Sequence, residues 1–389
     1  MSDKIKRALG NKEASVFIIL IAVMLIATIF NPAFLTFSNI MDVLKGNATL
    51  GICSMGMLLI ILTGGIDASV CGQLTLVCVI AGKIMANFQF DNIIVLYLLG
   101  ITIGCFTGLL NGLMVARLDL PPIIATLGLD SVLMGYLKYY TNGNWINAKE
   151  LPPRIGQIGL FRFFSNPEVN GSGVPLQLLL YVLVALLTWF MLNRMLLGRS
   201  IMAMGGSRVG AERIGLNAKN LTTFAYMYAG MMYGFAAITY TCAMNSVDPN
   251  AFLGFEMNVI GAVVLGGALM TGGQGSVLGT VLGMLLFAFI KNGLTLAHIS
   301  AYWQNIIVGA IILLAVSFDM IKLHREERLQ TKVDIEPRRR SRDEGAFQEK
   351  RAPVPPAGPA GDPADRHGHT GPRKVFDGQE LQEHGLPDG

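Results

Sequence analysis

Ten apolar stretches of 17 to 25 residues, falling at 14–30, 47–64, 68–87, 92–116, 122–140, 175–197, 220–242, 255–271, 276–295 and 303–321, constrain this chain more than any other feature. A hydrocarbon layer ~30 Å thick is crossed by about 20 mainly apolar residues of helix, at ~1.5 Å per residue. The stretches are continuous and lack alternating patterning, so helices are the spanning solution that satisfies the backbone. Charge is distributed accordingly. Residues 322–389 hold 26 of the 56 charged residues, which leaves 30 for the first 321. The expected fold class is therefore an all-α polytopic membrane protein with about ten transmembrane helices. Residues 1–13 read as an amino-terminal segment, 14–325 as the membrane domain and 326–389 as a charged tail.

Orientation follows from the lysines and arginines. Lys4, Lys6, Arg7 and Lys12, the turn at Arg117, the loop holding Arg194, Arg199, Arg208, Arg213 and Lys219, and the run from Lys322 to Lys332 all fall on one face of a ten-span layout. That face carries 14 of the 21 basic residues before position 333, which predicts both termini in the cytoplasm. The first stretch, "ASVFIILIAVMLIATIF", has no small-x-small cleavage site after it and reads as a retained span rather than a signal peptide. The five cysteines, Cys53, Cys71, Cys78, Cys105 and Cys242, lie in or beside spans without metal-ligand spacing and read as small buried hydrophobes.

Two interruptions resemble each other. "TGGIDASVCG" from Thr63 and "TGGQGSVLG" from Thr271 align with one single-residue gap, sharing Thr-Gly-Gly, then Ser-Val, a variable residue and Gly. This is a weak internal repeat. Gly64-Gly65 and Gly272-Gly273 allow a backbone reversal, and Ser69 and Ser276 are placed to cap the returning helices. The feature reads either as a tight turn with glycines for close packing or as a pair of interrupted helices beside a translocation path. Asp67 adds a carboxylate to the first copy, there to cap backbone amides or to pair with Arg or Lys. Asp130 lies near mid-span in "PIIATLGLDSVLMGYLKYY" and needs a water-filled path or an interhelical hydrogen bond. Asn111, Asn292, Gln304 and Asn305 offer either interhelical bonds or hydrogen bonds to the hydroxyls of a ligand.

Four motifs, "LTGGIDASVCGQLTL" (62–76), "PPIIATLG" (121–128), "GRSIMAMGGSRVGAERIGLN" (198–217) and "GAVVLGGALMTGGQGSVLGTVLG" (261–283), resemble in order and spacing the permease subunit of ribose/xylose/arabinose-type ABC sugar importers, over about residues 14–325. The resemblance implies a bacterial inner-membrane permease homodimer surrounded by lipid. It would be fed with a monosaccharide by a periplasmic sugar-binding protein and driven by a separate ABC ATPase. The family usually has a larger apolar residue at Ala68, Gly at Cys71, and Asn, two acids and Ala-Ala-Arg where this chain runs from Ser207 to Glu212. These departures bear on which ATPase pairs with the chain.

The 198–219 loop carries the coupling expectation, on Arg199, Gly205, Gly206, Ser207, Ala211, Arg213 and Gly215. Ser207 is placed to cap a two-turn helix that Gly215 ends. So short a helix is unstable alone and must dock, either on the chain's own helix ends or in a groove of the ATPase. The chain itself has no P-loop: its one Gly-Lys, Gly82-Lys83, is followed by Ile84. ATP is thus expected on the partner subunit, with no cofactor, metal or catalytic residue on this chain and no enzymatic role. Nucleic acid is not an expected partner. In the outer segment 141–174, Trp145 reads as an interfacial anchor, and the segment is long enough to meet a delivery protein. From Val333 the chain is too rich in Pro, Gly and charge to fold alone. Permeases for nucleosides or branched-chain amino acids, an ion-coupled carrier and a membrane scaffold remain as rival readings.

Overall fold

A computed structural model describes residues 12–165, 173–314 and 317. The described residues all belong to one compact unit within Met1–Arg325. The expectations for residues 1–11 and for the tail 326–389 lie outside the described residues, as does the whole basic run from Lys322 to Lys332.

The described residues are almost wholly helical. The helices are α1 (Lys12–Phe30), α2 (Phe37–Leu62), α3 (Val70–Phe88), α4 (Ile93–Ala116), α5 (Pro122–Thr141), α6 (Pro153–Leu160), α7 (Leu176–Arg194), α8 (Leu196–Gly206), α9 (Arg208–Arg213), α10 (Ala218–Met244), α11 (Phe255–Leu265), α12 (Val277–Leu296) and α13 (Ala301–Leu314). One short antiparallel pair, β1 (Arg162–Phe163) and β2 (Val174–Pro175), joins them. Six of the helices are long and apolar enough to cross a membrane by length and composition: α1, α2, α3, α4, α7 and α12.

Three expected boundaries are corrected. The second stretch begins at Phe37 and not at 47, because Thr36 accepts a bond from Asn39 N and starts the helix ten residues earlier. Polar residues Ser38, Asn39, Asp42, Lys45 and Asn47 hide this extension from a hydropathy reading. The eighth stretch, 255–271, is helical only over Phe255–Leu265, about 16 Å, roughly half a hydrocarbon core. Gly266 and Gly267 end it, the latter at φ 86°. The region after 197 is likewise no loop at first, since α8 continues in helix to Gly206.

Glycines set the closest helix contact. Gly100, Gly104, Gly108 and Gly112 recur at four-residue spacing on α4 and face Gly230, Gly234 and Thr223 of α10. A Cβ on Gly112 would stand 2.9 Å from Thr223 Cα, and one on Gly108 3.1 Å from Gly230 Cα. Between apolar helices in lipid, such close approach supplies the van der Waals attraction that hydrophobic burial cannot. The second half of α2, buried throughout from Ala48 to Leu62 and with Met55, Leu58 and Ile61 at 0% exposure, runs through the centre.

The segment 141–165 is a folded cap. Ile146 pairs with Val247 in an isolated antiparallel bridge, and Leu151 and Ile155 are buried. Gln177 Nε2 donates to Gly159 O at 2.9 Å. Glu150 accepts the Asn147 backbone N–H, which holds its carboxyl below the usual glutamate range. Trp145 is exposed.

Candidate functional site

The two Thr-Gly-Gly turns are in contact. Gly273 N donates to Leu62 O at 2.9 Å, and a Cβ on Gly272 would lie 2.9 Å from Gly64 N. Gly64, Gly272 and Gly273 all have positive φ, at 80°, 92° and 76°. A third glycine pair, Gly205-Gly206, packs into the same place. A Cβ on Gly205 would overlap Leu62 O and Gly273 N, and one on Gly273 would come within 2.6 Å of Gly206 N. Bare backbone from three segments far apart in sequence therefore forms one junction, which any Cβ at Gly205 or Gly273 would fill.

The first turn, between α2 and α3, carries a buried polar network. Asp67 is 0% exposed, and its Oδ1 accepts from Ser69 N at 2.8 Å and Ser69 Oγ at 2.6 Å. Gln73 Nε2, 3.4 Å from Asp67 Oδ2, also donates to Ser69 Oγ at 2.8 Å. Asn111 Nδ2 of α4 donates to the same hydroxyl at 2.7 Å, and the Thr107 hydroxyl donates to Gln73 Oε1 at 2.7 Å. Ser69 is thus a hub and not the side-chain cap expected of it: its hydroxyl donates to Asp67 and accepts from the Gln73 and Asn111 side chains, but from no backbone N–H of the first turn of α3. Of the two roles expected of Asp67, capping an amide is the one present. Among the described residues it has no ion pair with Arg or Lys.

The missing cap comes from α5. Asp130 Oδ1 accepts from Gly72 N at 2.7 Å, and Thr126 Oγ1 accepts from Ala68 N at 3.1 Å. These side chains stand four residues apart, on one helix face, and each satisfies an amide that the interrupted backbone leaves without a helical partner. The mid-span acid therefore has an interhelical bond. Glycine is needed opposite it, because a Cβ at Gly72 would stand 3.0 Å from Asp130 Oδ1 and from Leu133 Cβ.

Glu256, in the first turn of α11, is a polar member that sequence reasoning missed. Cys71 Sγ donates to its Oε2 at 2.7 Å. The cysteine that departs from the family's usual glycine thus has a carboxylate partner. The signal was an acid at the start of an apolar run, which reads equally well as an ordinary helix start.

The second turn is built differently. Ser276 does cap its helix, accepting from Gly279 N at 2.9 Å, and its hydroxyl donates to Glu13 of α1 at 2.5 Å.

Beyond Gly206 the chain enters α9. Ser207 Oγ accepts from Gly210 N at 3.1 Å, and Gly215 has φ 85°. Ala211 is 3% exposed and packs with Met204 and Ala218, so it faces the chain's own helix ends and is not on a free docking surface. The exposed face of the elbow carries Val209 and Ile214, 61% and 74% exposed, while Arg199 and Arg213 are exposed at its sides. The other candidate polar groups are divided: Asn111 and Asn292 make interhelical bonds, Gln304 bonds Thr295 Oγ1 and Ile299 O, and Asn305 is exposed. Among the described residues no group of three or more His, Cys, Asp or Glu is arranged to hold a metal.

Comparison with known proteins is extensive in sequence. A family profile described as "Branched-chain amino acid transport system / permease component" matches residues 39–316. The chain is 33% identical to ribose import permease protein RbsC of Escherichia coli K12 over 310 residues, covering 79% of this chain and 93% of that one. It is 33% identical to the Bacillus subtilis protein of the same name over 79% of this chain and 92% of that one. Against the D-allose transport system permease protein AlsC of E. coli K12 the identity is 28%, over 80% and 92%. No solved structure matches. The profile spans most of the membrane-embedded helices, the junction and the elbow, and the chain belongs to this family of transport permease components, multi-pass proteins of the inner membrane.

Proposed function

We propose that the chain is the membrane subunit of an ABC importer that carries a monosaccharide, delivered by a periplasmic binding protein and driven by a separate ATPase. The observation that carries the sugar reading is that the relatives matched over more than nine-tenths of their length are named for ribose and allose import. The chain crosses the membrane about ten times, with α11 and the broken turn after it making one of the crossings, and both termini are cytoplasmic. Two copies surround the path within the lipid, and ATP binds only to the partner subunit. Transport is alternating access.

The mechanical link is the glycine junction. The ATPase engages the exposed face of the α9 elbow at Val209 and Ile214, with Arg199 and Arg213 beside it. Its movement passes through Gly205-Gly206, which touch both helix breaks directly. Backbone packed on backbone leaves no flexible side chain to absorb the displacement. Asp67, Ser69 and Asp130 on one side and Ser276 on the other hold the breaks in register, so that a shift of the junction reorients α3 and α12 together.

Reconstitution with its ATPase and binding protein tests this reading. Uptake of labelled ribose, allose or galactose, insensitive to leucine and adenosine, is expected. Leucine or nucleoside uptake instead would replace the sugar reading. Paired Val209→Asp and Ile214→Asp should abolish uptake while the protein still inserts. Labelling in intact cells should reach Asn147→Cys and spare Val209→Cys until the membrane is opened; labelling of both from outside would refute the orientation.

A further inference from the structure

The hidden outer extension of α2 carries a polar stripe that the junction and the elbow do not use. Asn39, Asp42 and Asn47 recur at helical spacing along one face and descend about 12 Å from the first to the last. They meet a second stripe, Lys291, Asn292 and Thr295, on the last turns of α12. Together the two stripes line a cleft of about 290 Å³, whose other lining residues among those described are Val43 and Ala288.

The cleft is held open by its own bonds. Asn39 and Asn292 exchange reciprocal amide hydrogen bonds at 3.0 and 3.1 Å, and the second Asn39 N–H goes to Phe34 O at 2.8 Å. Asp42 is anchored by Arg162 at 2.6 Å. Capacity remains. Asn47 Nδ2 donates to Val43 O, but its Oδ1 receives no bond from the described residues, and Lys291 is exposed without an ion pair among them.

Such a lining cannot face hydrocarbon, where an unpaired ammonium or amide is costly. Water or a polar ligand must fill it. One carboxylate, already paired, and one ammonium give no strong charge preference. Asn39 and Asn292 are largely spent on each other, and the Thr295 hydroxyl on Lys291 O and Gln304, so the free capacity among the described residues is the Lys291 ammonium as donor and Asn47 Oδ1 as acceptor, which suits groups that both donate and accept, as hydroxyls do. The volume sits near the lower end of small-molecule sites, about 300 Å³. From these observations we infer that the α2/α12 outer cleft is a transit subsite for a neutral polyhydroxylated ligand of monosaccharide size. The inference rests on the importer reading above and adds a place to it. Its half-exposed partners make binding weak, as passage requires.

The test uses the full complex of permease, ATPase and binding protein, with whichever of ribose, allose and galactose the wild type takes up. Lys291→Met with Asn47→Leu removes two groups that make no side-chain bond to another helix among the described residues. Uptake should fall about fivefold to twentyfold, the loss expected for two polar contacts. Stimulation of ATP hydrolysis by loaded binding protein and the affinity for that protein should stay within about twofold. Unchanged uptake overturns the subsite. A parallel loss of binding-protein affinity also overturns it and makes the cleft a docking surface. Failure of the wild type to carry any of the sugars overturns the importer reading itself, and the subsite with it.

Discussion

The two helix breaks begin with the same three residues and solve the same problem with different parts. In both, a serine hydroxyl donates to a carboxylate. At the first break the acid is Asp67, two residues before Ser69; at the second it is Glu13, 263 residues from Ser276. The first break is buried and draws on α4 and α5 for its remaining bonds, through Asn111, Thr126 and Asp130. The second satisfies itself with more left-handed glycines and a local bond from Leu269 N to Gln274 O. A repeat in sequence therefore need not be a repeat in energetics. The first break is tied to the surrounding helices by side chains, and the second mainly by backbone.

The largest expected effect lies where the two breaks share the third glycine pair. Gly205→Ala would drive a methyl into Leu62 O and Gly273 N, and should cost about 3 kcal/mol or more. Gly206→Ala, with nothing within 4 Å of its Cβ, should cost less than about 0.5 kcal/mol. Thermal unfolding in detergent measures both, and equal melting temperatures would dissolve the junction.

Next in size is the serine pair. Ser69→Ala strands the Asn111 and Gln73 amides in a buried site and should lose about 2–3 kcal/mol. Ser276→Ala removes a helix cap worth about 1 kcal/mol. The reverse order would show that the second break is the more tightly tied.

Asp130→Ala should lose about 1–2 kcal/mol by orphaning Gly72 N, whereas Asp130→Asn keeps an acceptor there and should recover most of it. Failure of Asn to rescue would assign Asp130 a need for charge that one hydrogen bond does not supply.

The smallest changes are the isosteric ones. Asp67→Asn retains an oxygen for Ser69 but places an N–H against Gln73 Nε2, a shift of about 1 kcal/mol that should show as roughly fivefold slower transport at matched abundance. Glu13→Gln, half-buried and bound to one hydroxyl, should change transport less than about threefold. Equal effects would erase the distinction between a local and a borrowed acid.

Much of this was legible in the chain. Continuous apolar runs announced membrane helices, and Thr-Gly-Gly announced the breaks, because hydropathy and glycine's conformational range are properties of residues and their near neighbours. The cap at Ser207 and the left-handed Gly215 were readable for the same reason. Ser69 misled because a serine two residues after an aspartate has two local partners, and the choice depends on Gln73 and Asn111 arriving from elsewhere. Ala211 misled because a short helix shows two faces, and which one is buried depends on Met204 and Ala218. The amino-terminal part of α2 was hidden because its polar stripe lowers the mean hydropathy of a helix that is nonetheless continuous.

Sequence by itself determined the helical membrane class, the positions of the breaks and the family motifs, since each depends on composition or spacing within about twenty residues. Tertiary structure alone decided which acid serves which serine, that Asp130 completes α3, and that three glycine pairs meet. Those pairings join segments up to 263 residues apart. No local pattern encodes them, because a hydrogen bond or a backbone contact is specified by position in space, and position comes only from the packing of the whole bundle.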